Sequence, residues 1–175
     1  MNLYEATKAL HHDAESHPWG QRMAKGLIGR QEWADWLRAQ AIVHAELDLH
    51  LPPCLQRSGE LLLDMSVTLP AQGRDNLAAR RFAKSLSGTM LIGGAAYIFC
   101  GAHLRGGAVI RKRLEPIGYS CAHLRFGFAQ EANDWLKALR EANELAPGAV
   151  GAFRAVIEIM GEIEAQNALV AQGHY

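Results

Sequence analysis

His11 and Glu15 stand four residues apart in MNLYEATKALHHDAE, so on a helix they share one face. That pair suits metal ligation. A neutral imidazole binds a metal through one ring nitrogen, and its other N–H then needs an acceptor. A carboxylate one turn away orients the ring and raises its basicity. His12, next in the chain, points about 100° around the same helix. The competing reading is a pair of surface or half-buried histidines with Glu15 as a solvated partner.

A second stretch, GTMLIGGAAYIFCGAHLRGGAVIRKR from Gly88 to Arg113, places six glycines in its first twenty residues. Each glycine inside a helix costs roughly 0.5–1 kcal/mol relative to alanine. Two rewards offset such a cost. One is close backbone approach to a flat ligand, with a kink that shapes a pocket. The other is tight packing of two helices. Packing accounts for Gly93-Gly94 well, and for Gly101, Gly106 and Gly107, flanking the polar His103 and Arg105, less well.

Other chemistries are excluded by their missing signatures. The chain has no GxxxxGK[ST], no GxGxxG after a strand, no HExxH and no GxSxG. No glutamate is followed three residues on by histidine, which argues against the di-iron centre of ferritin-like bundles. Cys54, Cys100 and Cys121 are odd in number and form no CxxC pair, against a zinc ribbon or disulfide framework and for a reducing compartment.

The elements that must carry these residues read as helices. Leu3, Ala6, Thr7 and Leu10 give a first helix one apolar face, ended by Pro18. Trp33, Trp36, Leu37, Ala41, His44, Leu47 and Leu51 recur at steps of three and four from Gly29 until Pro52-Pro53. Cys54 to Met65 fits a short helix, and Pro70 to Arg74 a loop. Asn76 to Leu86 and Thr89 to Leu114 follow as one long interrupted helix. Turn signals fill 116–128, and helices Gln130 to Leu145 and Gly148 to Val170 close the chain. No period-2 run of β-branched residues supports a strand. The expectation is an all-α, single-domain, multi-helix fold over residues 1–175.

Composition agrees. Hydrophobic residues at 49% and charged residues at 21% exclude a disordered chain, and 175 residues suffice for a continuous core. Eighteen basic residues cancel eighteen acidic ones, leaving no overall electrostatic case for nucleic acid. The longest apolar-looking run, Met90 to Ala102, falls short of the ~20 residues of a membrane helix. The first fifteen residues carry charges where a signal peptide needs its apolar stretch. A soluble cytoplasmic protein is expected. Trp19, Trp33, Trp36 and Trp135 read as core, Cys100 as inert packing, and His17, His44, His50, His123 and His174 enter no motif.

Together these segments resemble the heme oxygenase family. Glu5 to Glu15 resembles its proximal helix, in which a threonine, the axial histidine and a glutamate follow at steps of four; here they fall on Thr7, His11 and Glu15, selecting His11 over His12. MAKGLIGRQEW, Met23 to Trp33, resembles the family's start of the second helix. AYIFCGAHLRGG, Ala96 to Gly107, resembles the distal motif A-Y-x-x-x-x-G-D-L-S-G-G, with Tyr97, Leu104, Gly106 and Gly107 in register.

The resemblance implies heme b as cofactor and substrate, oxidatively cleaved to biliverdin, CO and ferrous iron. It implies O2 as co-substrate and electrons from an external reductase or ferredoxin. His11 is then the iron ligand supported by Glu15, and the catalytic set is His11, His103 and Gly106. Lys8 and Tyr97 are placed near the propionates, as are Lys137 and Arg140 from the Trp135 helix. Ala102, Gly106 and Gly107 line the distal side. The run Arg111-Lys112-Arg113 either docks an acidic electron donor or solvates a helix end, and a bacteriophytochrome-type biliverdin acceptor fits as a further partner. The chain departs from the motif where Ala102 replaces a glycine, His103 the aspartate and Arg105 the serine. His103 then orders distal water, ligates iron as a sixth ligand, or faces solvent. The second outcome defines the alternative of a heme carrier or sensor without turnover; a non-heme enzyme of the same fold is the other.

Overall fold

The computed structural model describes residues 2–68 and 72–172. Among them are eight α-helices and no strand: α1 (Leu3–Ser16), α2 (Pro18–Lys25), α3 (Arg30–Leu47), α4 (Ser58–Val67), α5 (Leu77–Ser85), α6 (Gly88–Leu114), α7 (Ala129–Glu141) and α8 (Ala146–Ala171). None of these helices is long and apolar enough to cross a membrane.

Asn2 starts α1, its side chain accepting the Glu5 N–H at 3.1 Å. Pro18 does more than end that helix: it opens α2, where its missing N–H costs nothing, and His17 Nδ1 caps the turn by accepting from Trp19 N–H. Gly26, with φ 73°, closes α2 in the left-handed conformation that glycine adopts without strain. Sequence periodicity missed α2 because a helix of eight residues spans barely two turns. The second expected helix ends at Leu47, before Pro52-Pro53, because Asp48 turns its carboxylate to the N–H groups of Arg57 and Ser58 at 2.8 and 2.7 Å. That contact also starts α4 four residues later than Cys54. Pro70 and Ala71, in the loop expected at 70–74, lie outside the described residues, as does His174.

The frame is built around α8, which touches α1, α2, α3, α5 and α6. Trp19, Trp33, Leu37, Phe99, Leu114, Ile159 and Ile163 are fully or almost fully enclosed between these helices. Trp135 is the exception among the tryptophans. It lies on the outer face of α7 at 46% exposure rather than in the core. Two polar knots lock the frame. Arg22 holds Glu32 on α3 and Glu164 on α8 at 2.5 and 2.9 Å. Arg74 binds Asp35 on α3 and the Gln166 carbonyl on α8.

α6 crosses α8 at glycine. A Cβ at Gly94 would overlap the backbone of Gly148 and Ala149, and one at Gly148 would overlap Met90 and Leu91. Only hydrogen fits at that crossing.

Candidate functional site

α1 and α6 are both carried on α8, and α7 touches both. Thr7 faces inward on α1, its hydroxyl donating to the Leu3 carbonyl at 2.7 Å. One turn on, the His11 side chain is 52% exposed, with its ring edge against Phe153 of α8 at 5.6 Å between centroids. Its Nδ1 lies 3.6 Å from Glu15 Oε2. The carboxylate therefore addresses Nδ1, and Nε2 is the nitrogen left for a ligand. His12 and Lys8 are also exposed.

The glycines of α6 divide by position. Gly93 and Gly94 press on Leu145 and the start of α8, and a Cβ at Gly107 would meet Leu124 at 3.1 Å. Those three are packing glycines. At Gly101 and Gly106 an added Cβ would meet nothing within 4 Å, although Gly101 itself is buried and Gly106 only partly exposed. Ala102 and Arg105 are exposed beside them. The Arg105 guanidinium lies 5.7 Å from the centroid of the buried Tyr97 ring, eight residues earlier.

From α7, Arg140 stacks over Tyr4 of α1 at 5.5 Å, while Lys137 is turned outward and lies 3.7 Å from Asp134. The two cations paired from the sequence thus part company, and Arg140 alone reaches α1. A hollow of about 760 Å³ lies on the outer face of α7, lined by Phe128, Glu131, Asp134 and Trp135, and includes none of the expected site residues.

His103 points away from solvent. It is 4% exposed, and its Nε2 meets Gln40 Oε1 of α3 at 3.1 Å. Its ring stacks on His44 of α3 at 5.2 Å and 21°, and meets His123 edge-on at 5.0 Å. His123 belongs to the short turn Ala122–Leu124. Burial, then the neighbouring imidazoles and Arg57, push the His103 pKa well below its ordinary value. Burial also lowers His123, although Asp64 opposes the shift.

Asp64 of α4 is enclosed and accepts from Ser120 Oγ, the Ala122 and His123 N–H groups and His123 Nδ1, at 2.5–2.9 Å. Burial alone would raise its pKa, but those donors hold it below the usual carboxylate value. Asp48 is held down in the same way by His44 and Ser58.

His44 and His123, which entered no motif in the sequence, therefore form one buried cluster with His103. A local signal existed for the first. Gln40, His44 and Asp48 follow at steps of four, along one face of α3 and onto the residue that caps it. For His123 there was none, since its partner Asp64 is 59 residues away. Among the described residues no three His, Cys, Asp or Glu side chains are arranged to hold a metal ion by themselves. At His11 the protein offers a single ligand, as an iron already held by a macrocycle requires. A half-exposed imidazole with a carboxylate 3.6 Å away, and two helix glycines at which a Cβ would meet no neighbour, are chemically compatible with heme.

No protein-family model matches the sequence. No curated protein matches it either. Solved structures do match. Heme oxygenase-1 from the cyanobacterium Synechocystis, in complex with heme, superposes with TM-score 0.80 at 16% identity, over 99% of this chain and 97% of that one. Heme oxygenase from Leptospira interrogans gives 0.75 at 17% identity, over 91% and 97%. Heme oxygenase-2 from Synechocystis, in complex with heme and NO, gives 0.71 at 21%, over 94% and 84%. The chain has the all-α heme oxygenase fold.

Proposed function

We propose that the protein is a heme oxygenase, which cleaves heme oxidatively to biliverdin, CO and ferrous iron. The observation that carries this reading is the pairing, on one frame, of a half-exposed imidazole at His11 with two glycines of α6, Gly101 and Gly106, at which an added Cβ would meet no neighbour. When bound, heme supplies the redox iron that activates O2 with electrons from an external reductase or ferredoxin, and also the ring that is cleaved.

The chain's own residues bind, orient and exclude. His11 would hold the iron through Nε2, with the Glu15 carboxylate 3.6 Å from Nδ1 on the other side of the ring. Gly101, Ala102 and Gly106 keep the distal wall thin, so the ring can lie against backbone; Gly107 fixes that wall to the turn at Leu124. Tyr97 and Arg105 on α6, Lys8 on α1 and Arg140 from α7 supply donors and positive charge for the two propionates, with Lys137 farther out. His103 stands behind the wall as a neutral imidazole. Its burial and its bond to Gln40 count against iron ligation and leave Nδ1 as the atom that would order water. A soluble redox protein, a cytoplasmic setting and a biliverdin acceptor complete the reading.

Adding hemin and then a reductant system tests it. The expected sequence is a Soret complex, its loss, a growing biliverdin band and CO release. A stable Soret band under reduction and O2 would instead make the protein a carrier, and no Soret complex would defeat both. His11→Ala should abolish the histidine-ligated spectrum, and added imidazole should restore it. An unchanged spectrum in that variant would remove His11 from the site.

A further inference from the structure

Three of the tryptophans are buried, whereas Trp135 is 46% exposed and Phe128 67%. Phe128, Glu131 and Trp135 follow at steps of three and four, so they line one face of α7 from the residue that precedes it. Ala138 extends the stripe by a further step of three. The opposite face is already occupied, with Ala132 and Leu136 fully enclosed in one cluster with Leu55 and Cys100. α7 therefore carries two apolar stripes, and the fold uses one. The unused stripe is held on a packed helix, so its shape is set before anything binds.

The hollow of about 760 Å³ lies on this outer stripe and is walled mostly by carbon, with Glu131 and Asp134 set among the rings. Its volume is within the roughly 300–1,000 Å³ of sites that hold small ligands and side chains. Both carboxylates have acceptor capacity to spare. Glu131 enters no ion pair among the described residues. Asp134 accepts from Gln130 Nε2 at 3.0 and 3.1 Å, and its only cation, Lys137, is 3.7 Å away on the solvent side, a weak contact.

Exposed rings beside such carboxylates select a cation. The faces of Phe and Trp attract ammonium and guanidinium groups, and carboxylates accept from their N–H donors. The same charges repel nucleic-acid phosphates and anionic lipid surfaces. The hollow also lies at the start of α7, where Phe128 gives the first N–H groups no side-chain cap. A peptide brings carbonyl acceptors for those groups together with its cationic side chains; a free amine brings only the charge.

We propose that the outer face of α7 is a docking site for a basic segment of another protein, whose arginine or lysine side chains lie along Phe128 and Trp135 and end at Glu131 and Asp134. The face shares no residue with those assigned to heme, so it stands or falls apart from heme cleavage.

The experiment uses heme-free, ¹⁵N-labelled protein titrated with hexaarginine, and with hexacitrulline, in which a neutral urea of the same shape replaces each guanidinium. Hexaarginine is expected to move the Trp135 indole N–H signal, assigned by its loss in Trp135→Phe, while the signals of the buried Trp19, Trp33 and Trp36 stay in place. Added salt should weaken the complex, and hexacitrulline should bind about tenfold more weakly or not at all. Replacing both carboxylates, Glu131→Gln with Asp134→Asn, should weaken hexaarginine by about tenfold, with the three buried indole signals reporting an intact fold. A Trp135 signal that hexaarginine leaves in place, equal binding of hexacitrulline, or binding indifferent to the loss of both carboxylates would each overturn the proposal. So would a Trp135 signal that moves with protein concentration alone, since a second copy of the chain would then be the occupant.

Discussion

Asp64 concentrates more structural consequence than any other single polar side chain near the site. Four donors converge on a carboxylate with no exposure, and they come from the segment that places His123 beside His103. Asp64→Ala would leave the Ser120 hydroxyl, two backbone N–H groups and an imidazole N–H without their acceptor. Breaking a buried charged partnership of this kind costs on the order of 3–5 kcal/mol, which urea denaturation would register as a lowered midpoint. An unchanged midpoint would mean that water replaces the carboxylate without cost. Glu15 stands at the other extreme. It is 68% exposed and its contact with His11 is long, so Glu15→Gln should leave stability within about 0.5 kcal/mol. The contrast bears on what a sequence reveals. His11 and Glu15 are legible because their relation is local, four residues along one helix. Asp64 and His123 are related only by the fold, and no spacing rule reaches across 59 residues.

At the scale of elements, the glycines of α6 have opposite roles that the sequence leaves undivided. Their count signals a reward, but only the fold, through the contacts with Leu145, the start of α8 and the turn at Leu124, separates the packing glycines from those whose Cβ would meet no neighbour. The separation has a sign that calorimetry reads. Gly94→Ala forces a methyl group into the backbone of Gly148 and Ala149 and should destabilise by about 1–3 kcal/mol, the usual range for overpacking. Gly101→Ala and Gly106→Ala meet nothing within 4 Å and gain helix propensity, so each should stabilise by up to about 1 kcal/mol. If those two bare positions serve heme, the same substitutions that raise Tm should weaken hemin binding. A lowered Tm for both would mean that the open space has been misplaced. Helix boundaries tell a similar story. Periodicity located α1, α3, α5 through α8 because their buried stripes repeat. α2 and the start of α4 escaped it, since a proline cap and the Asp48 carboxylate set those limits rather than any apolar repeat.

For the whole molecule, the buried histidines tie stability to pH. Folding holds His103 and His123 below the ordinary histidine pKa of about 6.5, so the unfolded chain binds more protons than the folded one as pH falls through that value. Stability rises with pH wherever the unfolded state holds the extra protons. The stabilisation from keeping these rings neutral is therefore complete above pH 6.5 and erodes below it, until the folded-state rings themselves take up protons. Each ring contributes up to about 1.4 kcal/mol per pH unit within that window. Asp48 and Asp64, held below the usual carboxylate value, add a second loss that begins only as pH falls through about 4. Two descents separated on the pH axis are thus expected in urea-unfolding free energies between pH 8 and 3. Replacing His103 by glutamine, which is polar but does not titrate, should make the first descent shallower by one proton and leave the second in place. A wild-type profile that stays level between pH 7 and 5 would mean that His103 and His123 accept protons without strain, and the enclosure of these two imidazoles would then have no hold on the stability of the fold.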